Sequence, residues 1–150
     1  MISPSGGDPV PLATEPDEFK YPVSWSPDGK SIAYIGYDQK DRSNKFLKVI
    51  SLENGESREV CPVPTATGAH TELAWSPDSK RIAFNDREMK AILIISVDDG
   101  SVQNVETSLP EEVGIFHLDW SPDGKRFVFA GTANSQPEFW FMEDFLPLSE

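Results

Sequence analysis

The stretch Trp120-Ser121-Pro122-Asp123-Gly124-Lys125 decides the fold, because the chain contains it three times. The other copies are Trp25-Ser26-Pro27-Asp28-Gly29-Lys30 and Trp75-Ser76-Pro77-Asp78-Ser79-Lys80, and an apolar run follows each of the three. The three tryptophans are separated by 50 and 45 residues. A sequence period in the range of about 20–50 residues is typical of solenoids, propellers and other repeat architectures.

The Ser-Pro-Asp-Gly part of the motif predicts a type I turn between two antiparallel strands. Proline presets one backbone angle of the turn, and the serine can hydrogen-bond the local backbone. Gly29 and Gly124 supply a left-handed residue at no steric cost, whereas Ser79 takes that place in the middle copy and predicts a strained or differently shaped turn. We expect the three tryptophans to pack between neighbouring repeat units, which are identified below as blades. The residues assigned to this structural motif are Trp25, Pro27, Asp28, Gly29, Trp75, Pro77, Asp78, Trp120, Pro122, Asp123 and Gly124.

Further signals recur in a fixed order after the motif. A second apolar run, at residues 46–52 and again at 91–97, is followed by an Asn-Gly or Asp-Gly turn and a short, more polar strand. Each unit therefore predicts four antiparallel strands, with the tryptophan at the end of the first. Four short strands in about 45–50 residues match one blade of a β-propeller. The predicted fold is all-β, with three propeller blades per chain.

The repeat also predicts where the blades begin and end. Blade one covers residues 21–60, blade two 71–105 and blade three 115–146, and blade three ends before a fourth strand of its own. Residues 1–13 align with the fourth, outermost strand of a blade. Two prolines are tolerable there, because an outermost strand can leave N–H positions unpaired. The first segment thus matches what blade three lacks.

Three blades cannot close a ring, since propellers typically need about four to eight. Uncovered blade faces would form large apolar patches, which mark interfaces. We therefore predict a two-fold homodimer with six blades, in which residues 1–13 of each copy complete blade three of the other. Trp140 lies either at the subunit junction or in the core of the last blade. The candidate junction residues are Val10, Leu12, Phe139, Trp140 and Phe141.

Composition excludes several classes of function. The chain has 150 residues and a net charge of −12, which argues against nucleic-acid binding because such affinity comes mainly from Lys and Arg. No apolar run approaches the roughly 18 residues that span a bilayer, and the first residues lack a signal-peptide pattern, so we expect no membrane insertion. Cys61 is the only cysteine and is expected to be a small apolar residue near the end of a strand.

No catalytic constellation stands out, and we expect no cofactor. The sequence contains no Gly-x-Ser-x-Gly elbow, no glycine-rich phosphate loop and no zinc pattern. His70 and His117 fall near innermost strands, which line a propeller channel, so with Glu72 they are candidates for a channel metal site. The simpler interpretation makes both histidines polar residues that face channel water. The aspartate of each motif copy suggests calcium, but its role in the turn explains it without a metal.

The repeat resembles the blade of TolB-like propellers, which are related to WD-repeat blades. The likeness rests on the Trp-Ser-Pro-Asp-Gly-Lys motif with its following strands and covers nearly the whole chain. Similar blades occur in the propeller domains of prolyl oligopeptidase and dipeptidyl peptidase relatives. The resemblance implies a six-bladed ring, which agrees with two copies of three blades. It further implies that the chain corresponds to the C-terminal half, of three blades, of a longer propeller protein. The expected location is periplasmic or secreted if that parent protein is TolB-like, and otherwise cytoplasmic.

Two classes of function follow from these observations. The first is a non-enzymatic scaffold or protein-interaction module that assembles with itself by strand exchange and binds any further protein at the channel mouth or on the top-face loops. The alternative is a metal-dependent or sugar-active enzyme that uses His70, His117 and Glu72. A third hypothesis is an accessory domain whose activity resides in another chain. One fold hosts many functions, so bound metal or a carboxylate–histidine cluster is the feature that would favour the enzyme.

Overall fold

A computed structural model describes residues 6, 8, 11–12, 17–63, 72–86, 91–110, 113–133, 136–143 and 145. These residues form eleven β-strands, arranged in three antiparallel sheets. In the part of the chain so described, no helix is long and apolar enough to cross a membrane. The prediction of an all-β chain with three successive antiparallel sheets is confirmed, and we call the sheets blades one to three.

Each blade follows the chain order of its strands from the inside outward. Blade one consists of β1 to β4: Glu18–Trp25, Ser31–Asp38, Lys45–Ser51 and Ser57–Val63. Blade two consists of β5 to β8: Ala74–Trp75, Arg81–Asp86, Ala91–Ser96 and Val102–Glu106. Blade three has β9 to β11 among the described residues: Gly114–Trp120, Arg126–Ala133 and Gln136–Glu143. The first strands β1, β5 and β9 contact one another in succession, so they lie toward a common axis.

The strands differ by a few residues from the bounds predicted for the blades. β1 begins before residue 21, because Phe19 pairs with Tyr37 of β2 and their ring centroids lie 5.0 Å apart. β11 ends at Glu143, before the predicted end of blade three at residue 146, and it pairs with β10 in continuous register. Phe145 leaves the sheet and stacks on Phe127, with ring centroids 4.0 Å apart.

The Ser-Pro-Asp turn has the same local geometry in the three blades. In blade one, Gly29 N donates to the Ser26 carbonyl at 2.9 Å, and the Ser26 hydroxyl donates to Asp28 Oδ1 at 2.6 Å. The same carboxylate oxygen accepts a hydrogen bond from Lys30 N at 3.0 Å. Ser79 forms the corresponding backbone bond in blade two with a φ of 59°, so of the two predicted alternatives the strained turn is the one found. The strain is that of a left-handed residue that carries a side chain.

One apolar core fills the space between blades one and two. Its members are Ala33, Ile35, Leu47, Val49, Cys61, Val63, Leu73, Trp75, Ile82, Phe84, Leu93, Ile95 and Val97. Cys61 lies among them near the end of β4, where burial raises the pKa of its thiol. Phe84 is completely buried, and burying a side chain of this size stabilises the fold by about 1.5–3 kcal/mol.

A second core lies between blades two and three. Its members are Ala74, Ala83, Ile92, Ile94, Ile115, Leu118, Trp120, Phe127, Phe129 and Phe145. Successive residues of β7 point to opposite sides. Ile92 and Ile94 therefore reach the second core, while Leu93 and Ile95 reach the first. Among the described residues, blade two is thus covered on both faces, whereas blades one and three are each covered on one.

Candidate functional site

The uncovered faces lie at the two ends of the row of blades. We call the face toward the preceding blade the front face and the face toward the following blade the rear face. On the front face of blade one, Val23 and Trp25 are 66% and 52% exposed. The same positions of the repeat in blade two are Leu73 and Trp75, which are 6% and 7% exposed because blade one covers them. The front face of blade one is therefore an apolar surface that no preceding blade covers among the described residues.

The rear face of blade three is the other uncovered surface. Phe139 and Phe141 of β11 are 82% and 74% exposed. Through the pairing of β11 with β10, they correspond to Leu47 and Val49 in blade one, which are buried against blade two. Two adjacent exposed phenylalanines are unusual on a free surface and indicate an interaction site.

The front face of blade one also carries a polar group at its centre. The Tyr34 hydroxyl lies 2.9 Å from Ser57 Oγ and 3.3 Å from a Glu18 carboxylate oxygen. Lys48 Nζ lies 2.5 Å from the other oxygen of Glu18 and 3.5 Å from Glu59. Tyr34 is only 1% exposed, although no blade within the described residues covers this face. The Glu18–Lys48 ion pair therefore covers the centre of this face with charged groups.

Lys48 remains protonated in this position. Burial acts to lower its pKa, but the hydrogen bond and negative charge of Glu18 outweigh that effect, and the pKa is raised. In blade two, Phe84 takes the position of Tyr34 and Leu93 takes the position of Lys48, and blade one covers both. The position is therefore apolar where a neighbour is present and charged where it faces outward.

A second feature of blade three is the outer edge of β11. Among the described residues no strand pairs with this edge, whereas β4 and β8 occupy the same position in blades one and two. A groove of about 490 Å³ lies beside the edge, between β11 and the outer strand of blade two. The lining is partly polar and partly apolar, and its apolar residues include Val105, Leu109, Trp140 and Met142.

The structure brings together two of the three candidate channel residues. His117 Nδ1 lies 2.7 Å from Glu72 Oε1, and the two side chains are 75% and 43% exposed. His117 lies at a bulge of β9 with a φ of 52°, which turns the residue out of the regular strand. His70 lies outside the described residues. In the described ranges, no group of three or more metal-ligating side chains forms.

The aspartates of the repeated turns act as hydrogen-bond acceptors, as predicted from their position. The Ser121 hydroxyl and Lys125 N both donate to Asp123, which lowers the pKa of this carboxyl to about 2. The hydrogen bond from the Ser26 hydroxyl likewise lowers the pKa of Asp28. These bonds account for the repeated aspartates within the turns.

The expectations about the four tryptophans have different outcomes. Trp75 and Trp120 pack between blades, and Trp75 Nε1 donates to the Ser24 carbonyl of blade one at 3.1 Å. Trp25 is exposed within one chain, because no described blade precedes it, and its packing between blades stays a prediction for an assembly with a second copy. Trp140 points away from the exposed face of β11 and packs against the second core, so its place is the interior of the last blade.

The other four candidates for the subunit junction differ in their surroundings. Phe139 and Phe141 lie on an exposed face, as an interface would require. Val10 lies outside the described residues, and Leu12 is half-buried. The sequence analysis missed Val23 and the Glu18–Lys48 pair. Alignment of Val23 with the buried Leu73 was the signal that could have found the first of them.

Comparison with solved structures shows the propeller fold. TolB from Acinetobacter baumannii matches 95% of this chain with a TM-score of 0.72 and 20% identity. An oligogalacturonate lyase from Vibrio parahaemolyticus also matches 95%, with a TM-score of 0.73 and 17% identity. A putative TolB from Agrobacterium tumefaciens matches 93%, with a TM-score of 0.65 and 22% identity. The chain therefore has a TolB-like β-propeller fold, and its three sheets are propeller blades.

The same comparisons limit what can be transferred. The chain spans 34% of the Acinetobacter TolB, 40% of the lyase and 50% of the Agrobacterium protein. An uncharacterized peptidase of Bacillus subtilis, YuxL, is 34% identical over 58 residues, which make up 39% of this chain and 8% of the peptidase. No protein-family profile matches the chain. Because the similar proteins include TolB proteins, a lyase and peptidases, the likeness identifies a fold and not an activity.

Proposed function

We propose that this chain is a non-enzymatic β-propeller interaction module that assembles with a second copy through its uncovered blade faces and by strand exchange. The observation that carries the proposal is the contrast between Val23 and Trp25 in blade one and the covered Leu73 and Trp75 in blade two. Identical repeat positions are buried wherever a preceding blade exists. A preceding blade is therefore the surface that fits the front face of blade one.

A second copy supplies such a surface at both ends. The rear face of its blade three would lie on the front face of blade one, and two-fold symmetry repeats the same contact on the other side. Phe139 and Phe141 then take the places that Leu47 and Val49 have inside the chain. Two copies of three blades give six, within the range of about four to eight in which propellers close. In such a ring both apolar faces are buried.

The solution mass of the chain tests this proposal, by light scattering behind a sizing column. We expect a mass near twice 16.7 kDa. Replacing both Phe139 and Phe141 by serine should give a monomer with the same secondary structure, because these side chains are exposed within one chain. Val102→Ser is the matched control, since Val102 is 53% exposed on β8, away from both end faces. The control should remain a dimer.

Two outcomes would contradict the proposal. A monomeric mass at all accessible concentrations would mean that the end faces await a different chain. A dimer that survives the double phenylalanine substitution and dissociates with Val102→Ser would place the interface elsewhere.

A second candidate function rests on the pair formed by His117 and Glu72. An imidazole and a carboxylate 2.7 Å apart at the inner strands are suitable metal ligands or an acid–base pair. The oligogalacturonate lyase among the similar structures makes oligogalacturonate a substrate to try. Zn²⁺ binding measured by calorimetry, and cleavage of oligogalacturonate measured by absorbance, would both have to depend on His117. Absence of both in the assembled chain would remove this candidate.

A further inference from the structure

We propose that the outer edge of β11 and the adjoining groove form an acceptor site for one extended strand, and that residues 8–12 of a second copy fill it. The inference rests on the proposed self-association and identifies the segment that completes blade three. It concerns the sheet edge of the blade, whereas the proposed face-to-face contact concerns its rear surface.

The acceptor position is defined by the other two blades. In blade one, β3 pairs antiparallel with β4 through partners such as Leu47 and Cys61. In blade two, β7 pairs antiparallel with β8 through partners such as Ile94 and Gln103. Within the described residues, β11 has a partner on its inner side alone. A free edge presents a row of backbone N–H and C=O groups and is a template for pairing with another strand.

The groove beside this edge suits the side chains of an incoming strand. Trp140 and Met142 form one wall, and Val105 and Leu109 of the segment that leaves blade two form the other. The volume of about 490 Å³ accommodates a few aliphatic side chains. Peptides that extend a sheet obtain affinity from backbone hydrogen bonds and specificity from pockets for alternate side chains. The edge and the groove together provide both.

The segment Asp8-Pro9-Val10-Pro11-Leu12 has the sequence of a strand that pairs on one side only. In an extended chain, alternate residues direct their backbone N and C=O groups to the same edge. Pro9 and Pro11 therefore leave one edge without donors, while the residues between and beside them keep theirs on the other edge. The side chains of Val10 and Leu12 would then lie on the same side as Phe139 and Phe141, because directly paired residues share a face, and Pro9 and Pro11 would lie on the side of the groove. Such a strand can end a sheet but cannot be extended further.

The reach of the segment selects a second copy as its source. Five residues, 13–17, connect it to β1, and they span at most about 20 Å when extended. Crossing a four-stranded blade from its outer to its inner strand takes about 14 Å. Residues 107–113 make the corresponding passage from β8 to β9. In the same chain blade two separates blade one from blade three, whereas in the ring blade three of the partner adjoins blade one.

The test is a matched pair of substitutions in the full chain. Val10→Pro removes the N–H that would donate to β11, and Pro11→Ala restores an N–H on the edge that faces away. Dimer dissociation constants from sedimentation and amide hydrogen exchange of β11 are measured for both. Val10→Pro should weaken the dimer about tenfold or more and make the β11 amides exchange rapidly. Pro11→Ala should match the unmodified chain in both measurements.

The outcomes separate this inference from the proposed function. A dimer whose affinity and β11 exchange are unchanged by Val10→Pro overturns the strand acceptor while the face-to-face assembly stands. A monomer with protected β11 amides that Val10→Pro exposes means that the segment of the same chain fills the site, which overturns the role of the second copy. A monomer with unprotected β11 amides overturns both.

Discussion

Trp75 and Trp25 occupy the same place in the repeat, but their surroundings differ. Trp75 is 7% exposed and donates a hydrogen bond to the carbonyl of Ser24 in the preceding blade. Trp25 also ends the first strand of its blade and precedes the same turn, yet it is 52% exposed. The motif thus determines the local turn and strand, and the neighbouring blade determines burial. Where no described blade adjoins it, the equivalent residue lies on the surface, and we propose that a second copy covers it.

Alanine substitution of the two tryptophans gives the largest effect that this comparison predicts. Trp75→Ala should lower the free energy of unfolding by about 3–5 kcal/mol, because it empties a packed site between two blades. Trp25→Ala should cost about 1 kcal/mol or less in a chain that cannot associate, since its side chain is half in water. Urea unfolding of both variants, in the background with Phe139 and Phe141 replaced by serine, measures the difference.

In the chain that can associate, Trp25→Ala should weaken the dimer more than Trp75→Ala does. Trp25→Ala should weaken the dimer by a factor of about 30 or more, as expected of an aromatic residue at the centre of an interface. Equal unfolding free energies for the two alanine variants would show that Trp25 is covered within one chain and would remove the contrast.

Glycine substitutions at two equivalent turns should give a smaller difference in the same direction. Gly55 and Gly100 both have left-handed backbones, with φ of 73° and 70°. A Cβ on Gly55 would meet no atom within 4 Å, whereas a Cβ on Gly100 would collide with the Val60 carbonyl oxygen of blade one. Both alanine variants carry a left-handed penalty of about 1–2 kcal/mol, and Gly100→Ala adds about 1–3 kcal/mol for the collision. Thermal unfolding should rank Gly100→Ala below Gly55→Ala, and the opposite rank would contradict the blade contact.

The smallest effect should come from the turn aspartates, which do not depend on whether a blade is covered. The pKa of Asp123 is lowered to about 2 by the hydrogen bond from the Ser121 hydroxyl. A carboxyl whose pKa is lower in the folded chain than its unfolded value of about 3.9 stabilises the fold above that value. This contribution is lost as the pH falls from about 4 to about 2. The melting temperature should therefore decline over this range, and less steeply in Asp123→Asn, and parallel declines would contradict the assignment.

The architecture was predictable because its cause is local. The serine and aspartate of each turn bond to atoms within five residues, so three copies of the motif predict three turns with their strands. The exposure of Trp25 was not predictable in this way, since it depends on a blade that adjoins it in space. The orientation of Trp140 depends on a register that places it opposite Phe129, and its neighbours Phe139 and Phe141 then point the other way.

The candidate sites were partly visible in the sequence. Glu72 and His117 are 45 residues apart, which is the spacing of their blades, and the structure does place them in contact. The polar pair of Glu18 and Lys48 was not visible, because its partners come from β1 and β3, two strands that are separated by β2. Repeat alignment shows Lys48 in place of the buried Leu93, but the identity of its counter-ion requires the folded chain.

Hydrogen exchange of the Trp25 indole N–H, followed by NMR with tryptophan labelled in its indole nitrogen, tests the central claim most directly. The Trp75 indole is the internal reference, because its hydrogen bond to Ser24 protects it within a single chain. We predict that at high protein concentration Trp25 exchanges nearly as slowly as Trp75, and that dilution below the dissociation constant makes Trp25 alone exchange rapidly. Rapid exchange of Trp25 at every concentration would contradict the account, because the front face of blade one would then have no partner in a second copy.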